Sequence, residues 1–123
     1  MSLTILAVDD SRTIRDMLSL TLKQAGFTTH LADDGVHGIE VLEGLSPPPD
    51  VIITDINMPR MDGFGFIEAV RNIEKYRTIP ILVLTTESGA DLKQRARYAG
   101  ATGWIVKPFE PKKLIRALQM VTG

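Results

Sequence analysis

Two adjacent aspartates, Asp9 and Asp10, a third at Asp55, a threonine at Thr85 and a lysine at Lys107 each close or directly follow a short apolar run. Three carboxylates gathered in one crevice repel one another, and a hard divalent cation removes the conflict. There is no cysteine, and His30 and His37 read as surface or edge residues, so the donors are oxygens alone. That set points to Mg²⁺, with Mn²⁺ as a substitute, rather than to Zn²⁺. A lysine ammonium suits a phosphate oxygen, and a threonine supplies a hydroxyl donor. A nucleophilic carboxylate, a metal, a lysine and a hydroxyl together make a phosphoryl-transfer site. Taken singly, each residue has a plainer reading: a helix cap, a turn residue or a solvated charge.

These side chains meet only if the fold brings their strand ends together. Runs at 3–8, 51–54, 81–85 and 102–106 are rich in aliphatic and β-branched residues and read as strands. A poorer run at 27–32 makes a fifth strand. Between them, apolar residues recur at helical spacing. Ile14, Met17, Leu18, Thr21, Leu22 and Ala25 form the first face; Val36, Ile39, Leu42 and Leu45 the second; Phe64, Ile67, Val70 and Ile73 the third. A fourth helix, over about 90–99, has only Leu92, Ala96 and Ala99; the last carries Leu114, Ile115, Leu118 and Val121. Ser11 and Asp62 are expected to cap helices, Ser88 with Asp91 resembles a capping box, and Pro111 suits a first turn. Gly26 and Gly100 are expected helix stops. Short strand–helix connections require parallel strands with helices on both faces. The expected fold is α/β, a flavodoxin-like (βα)5 three-layer sandwich with a five-stranded parallel sheet of order 2-1-3-4-5. Ligands of such sheets bind beyond the C-terminal strand ends, where the five residues converge. The second strand, at an edge, offers nothing comparable.

Composition narrows the class. The chain has 123 residues, 44% of them apolar, which suits one domain over 1–123 with no output domain. The net charge of −1 gives no broad attraction to nucleic acid or anionic membrane. No apolar stretch is long enough to span a bilayer, and the N-terminus lacks a signal pattern. A cytoplasmic monomer is expected.

The pattern Asp9-Asp10, Asp55 with Asn57-Met58-Pro59 and Asp62-Gly63, Thr85, and Lys107-Pro108-Phe109 resembles the receiver domain of two-component response regulators. Among these it is most like the single-domain, CheY-like chemotaxis regulators. The resemblance implies that Asp55 is the phosphoacceptor, loaded from a kinase phosphohistidine. It implies that Asp10 and Asp55 ligate Mg²⁺ directly, Asp9 through a water, and Asn57 through its backbone carbonyl. Lys107 and Thr85 would each address a phosphoryl oxygen, Asn57 and Glu87 would tune hydrolysis of the acyl phosphate, and the Lys107-Pro108 bond would be cis.

Thr85 and Trp104 occupy the family's switch positions, although Trp replaces the more common Tyr, Phe or His. The other reading of Trp104 is a half-exposed packing residue. Lys93, Arg97 and Lys113, with Trp104, mark a basic face. It reads as a docking face for an acidic or mixed protein surface, or as an ordinary solvated face. The implied function is a phosphorylation-dependent switch, not a turnover enzyme, with a histidine kinase upstream and the flagellar motor switch or another protein as target. A phosphate sink or relay receiver is the alternative. A phosphatase-type enzyme and a flavin carrier are two more, although Asp9-Asp10 stands where a flavin phosphate would need a Gly/Ser/Thr-rich loop.

Overall fold

The computed structural model describes residues 3–123; residues 1 and 2, part of the N-terminus that lacks a signal pattern in sequence, lie outside the described residues. Five strands alternate with five helices: β1 Thr4–Val8, α1 Arg12–Gln24, β2 Thr28–Ala32, α2 Gly35–Glu43, β3 Val51–Thr54, α3 Gly63–Arg71, β4 Ile81–Thr85, α4 Ala90–Ala99, β5 Gly103–Val106 and α5 Pro111–Thr122. A 3₁₀ turn, Glu74–Tyr76, follows α3. The strands are all parallel in the order β2-β1-β3-β4-β5, as expected.

Alternation along the strands divides the core into two layers. Ile5 and Ala7 of β1, Ile53 of β3 and Leu84 of β4 pack against Leu18 and Leu22 of α1 and Leu114 and Leu118 of α5. Leu6, Val8, Ile52 and Val83 face the other way, onto Leu42 of α2, Phe66 and Ile67 of α3 and Ala96 of α4. Both faces of the three central strands, β1, β3 and β4, are therefore dry, which is why these strands read as continuous apolar runs rather than alternating ones.

The helix starts follow capping chemistry. Ser11 accepts from the Ile14 N–H at 3.3 Å, and Asp62 accepts from the Gly65 N–H at 2.8 Å. Replacing Asp62 with alanine is expected to remove about 1 kcal/mol, read as a melting temperature lower by about 4 °C in a calorimetric scan. Pro111 opens α5.

The ends differ from expectation in several places. The Ser88–Asp91 capping box does not form. Gly89 holds the cap position of α4 with no side-chain bond, because the helix starts one residue later than a Ser88 cap requires. Leu45 and Ile73 lie beyond the ends of α2 and α3. Met17 is 44% exposed and Ala25 is exposed as well, so neither belongs to the packed face of α1. The buried stripe of α1 narrows to Leu18 and Leu22, with Ile14 beside it. The expected helix stops hold: Gly26 and Gly100 take positive φ, +89° and +117°.

Candidate functional site

Strand register builds the site. Val8 pairs with Thr54, and the Asp55 N–H donates to the Val8 carbonyl at 3.0 Å, so Asp9 and Asp55 leave the sheet side by side. On the other flank, Thr85 pairs with Val106, and the Lys107 N–H donates to the Thr85 carbonyl at 2.8 Å. The peptide bond from Lys107 to Pro108 is cis, as is that from Ser46 to Pro47.

The Lys107 ammonium lies between two carboxylates, 2.7 Å from Asp9 Oδ2 and 2.9 Å from Asp55 Oδ2. All three side chains are at most 10% exposed. Burial pushes the Lys107 pKa down, but hydrogen bonds to Asp55 and Asp9 outweigh it and leave the pKa raised. For Asp9, burial pushes the carboxyl up more than Lys107 and the Ser11 N–H hold it down. Asp10 is exposed, and carboxylate oxygens of Asp9, Asp10 and Asp55 lie within 4.8 Å of one another. That spacing, oxygen-only donors and an open side toward water fit Mg²⁺, which takes one or two carboxylates and keeps several waters.

The loop after β3 carries Asn57. A Cβ at Gly63 would overlap the Asp55 carbonyl oxygen, so this close turn requires glycine. Asp55 Oδ1 accepts from the Ile56 N–H at 2.6 Å, leaving Oδ2 toward Lys107. Asn57 Nδ2 donates to Glu87 Oε1 at 3.3 Å, so the two expected tuning residues touch. Thr85 is fully buried, and its hydroxyl accepts from the Glu87 N–H at 3.4 Å. Trp104 is half-buried, and its Nε1–H donates to the Glu87 carbonyl at 2.9 Å. Of the basic-face residues, Lys93, Arg97 and Trp104 line one small cavity of about 90 Å³. Lys113 is exposed, 3.5 Å from Glu110.

One pairing escaped the sequence reading. Two residues past the end of β2 lies a buried carboxylate, Asp34, outside the cluster of Asp9, Asp10 and Asp55. Asp34 caps α2 through the His37 N–H and accepts two bonds from Arg60, at 2.6 Å and 3.0 Å. These bonds to Arg60 hold the Asp34 pKa below its usual value against the opposing push of burial.

A doubly wound sheet with an acidic rim, a buried lysine bridging two of its carboxylates and a buried threonine beside them defines a receiver site. Residues 5–119 match the response regulator receiver domain, and the chain belongs to that family. It is 40% identical to the chemotaxis protein CheY1 of Helicobacter pylori over 97% of this chain and 96% of that one. The solved structure of chemotaxis protein CheY4 of Vibrio cholerae is 46% identical, with a TM-score of 0.93 over 98% of this chain and 99% of that one. The receiver domain of the sensor histidine kinase PA1611 from Pseudomonas aeruginosa, solved with a magnesium ion coordinated in its active-site cleft, is 27% identical with a TM-score of 0.90, covering 100% of this chain and 99% of that one. No helix among the described residues is long and apolar enough to cross a membrane.

Proposed function

We propose that this receiver domain is a phosphorylation-controlled switch that takes a phosphoryl group from a histidine kinase onto Asp55 and answers by changing its affinity for a protein. The Lys107 ammonium held between Asp9 and Asp55, with Asp10 at ligand distance from both, carries this reading. Asp10 and Asp55 would hold Mg²⁺ directly, Asp9 would hold it through a water, and the Asn57 carbonyl would complete the protein's share, as in the receiver domains the chain resembles. Bound there, Mg²⁺ supplies positive charge against the phosphoryl oxygens and the clustered carboxylates.

Asp55 Oδ2 attacks the phosphorus of the phosphohistidine. The new P–O bond forms as the P–N bond breaks, and the imidazole leaves with the bonding pair. Lys107 then turns from Asp55 to a phosphoryl oxygen, and Thr85 donates its hydroxyl to another. Three oxygens carry the transferred charge, and fixed donors aimed at them lower the barrier. The same donors favour attack by water, so the domain unloads itself and no free substrate is turned over. Asn57 and Glu87 flank the path of that water and set its rate.

The movement of Thr85 pulls on the Glu87 segment, to which the Trp104 indole is bonded. Trp104, Lys93, Arg97 and Lys113 report the change to the partner. Similarity to chemotaxis proteins supports a chemotaxis role, with the flagellar motor switch as target and a cytoplasmic location beside the kinase.

Incubation with acetyl phosphate or a phosphorylated kinase is expected to label the protein only when Mg²⁺ is present. Asp10→Ala is expected to weaken Mg²⁺ binding at least about tenfold, measured by calorimetric titration. Unchanged affinity in that variant overturns the ligand assignment.

A further inference from the structure

We propose that Asp34 and Arg60 form a positioning latch that sets the loop after β3, and with it the Asn57 carbonyl, against the carboxylates of β1. The inference rests on the metal reading given above. The loop spans 56–62, and its base is closed by the Gly63 N–H donating to the Ile56 carbonyl at 2.8 Å. Beyond the base, the segment after β2 holds it. Arg60 donates from Nε to Asp34 Oδ2 at 2.6 Å and from Nη2 to Asp34 Oδ1 at 3.0 Å. The Gly35 N–H donates to the Met61 carbonyl at 3.1 Å. That same segment begins at Ala32, whose carbonyl accepts from the Asp9 N–H at 3.0 Å. One short turn therefore ties together the two loops that bear Asp9 and Asn57.

The latch has little slack. A Cβ at Gly35 would lie 2.6 Å from the Met61 carbonyl oxygen, so the two backbones are already in contact. Arg60 has φ of +65°, and the Met61 N–H donates to the Pro59 carbonyl at 2.7 Å, closing a tight turn around it. A non-glycine residue persists in that region only where its surroundings over-determine it. The two-pronged bond to Asp34 is such a constraint. Asp34 is 4% exposed, whereas the Arg60 side chain is 55% exposed. If Arg60 swung into solvent, it would leave a buried carboxylate without its cation, so the pair stays closed. Loosening it frees the loop that aims the Asn57 carbonyl and so costs metal affinity as well as stability.

The test measures Mg²⁺ binding by calorimetric titration of the full chain in wild type, Arg60→Gly, Asp34→Ser and the double variant. Glycine takes positive φ freely, so Arg60→Gly removes the side chain without adding strain. Serine still caps α2 at the His37 N–H, so Asp34→Ser removes the latch and keeps the helix start. Each single variant is expected to raise the Mg²⁺ dissociation constant about tenfold. The double variant is expected to lose no more than either single, because the pair acts as one unit. A role confined to stability would lower the melting temperature and leave the dissociation constant within about twofold of wild type; that result, or additive losses, overturns the latch. Absence of Mg²⁺ binding by wild type overturns the metal reading together with the latch. Wild-type binding matched by both variants overturns the latch alone.

Discussion

Asp55→Asn is expected to abolish labelling by acetyl phosphate or a phosphorylated kinase, with incorporation down by about two orders of magnitude or more. An amide is isosteric with the carboxylate but has no oxygen basic enough to attack phosphorus. Asp55 Oδ1 is held by the Ile56 N–H, a bond that the asparagine carbonyl keeps, so the backbone at the strand end is preserved. Lys107 keeps its 2.7 Å bond to Asp9. The variant should therefore fold, and its loss should be chemical. Asp9 and Asp10 are the competing acceptors. Asp9 is buried and accepts from the Ser11 N–H and from Lys107, and Asp10 is exposed on the outer side of the cluster. Peptide mass spectrometry of the labelled wild type should place the phosphoryl group on the peptide containing Asp55. Undiminished labelling of the variant, or label on the Asp9–Asp10 peptide, overturns the assignment.

The acidic rim was legible because a parallel sheet converts distance along the chain into position on an edge. Each of Asp9, Asp55, Thr85 and Lys107 closes or directly follows a strand whose apolar composition is unambiguous, and register does the rest. The Asp34–Arg60 pair was not legible for an equally physical reason. Asp33-Asp34-Gly35 has the composition of an ordinary turn, and its capping role explains it fully. The partner lies 26 residues away, in a left-handed conformation for which arginine gives no local signal. The α4 start misled in the opposite direction. Ser88 and Asp91 have the spacing of a capping box, but with no deep apolar stripe to fix the register, the helix begins at Ala90 after an uncapped glycine. The face of α1 was overestimated at Met17 and Ala25, which stay exposed, whereas Ala96 in the stripe of α4 is buried.

Lys107→Ala is expected to destabilise the protein at neutral pH by about 3 kcal/mol, because it strips a buried cation from two buried carboxylates. The corresponding drop in melting temperature is about 10 °C. The pH dependence has a definite sign. Lys107 has its folded pKa raised above the ordinary 10.5, so its contribution is fully present below 10.5 and lost as pH rises through the folded value. On the acid side, Asp9 has a raised pKa, so it takes up a proton above 3.8 and the ion pair weakens there. The gap between wild type and variant should therefore be widest near neutrality, narrow on the acid side once Asp9 takes up its proton, and narrow again as pH rises beyond 10.5.

Mg²⁺ gives the sharper test. In wild type the ammonium at 2.7 Å and 2.9 Å already offsets part of the carboxylate charge, so a divalent cation gains less there. Without that ammonium, the same three carboxylates attract Mg²⁺ more strongly. Ligand binding to the folded state stabilises it by about 2.7 kcal/mol at a hundredfold excess over the dissociation constant, so a tighter site gives a larger thermal shift. At a fixed millimolar Mg²⁺ concentration the variant should thus gain more degrees than wild type and recover much of its deficit. An equal or smaller gain would mean that Lys107 does not compete with the metal for these carboxylates, and its place in the site would have to be redrawn.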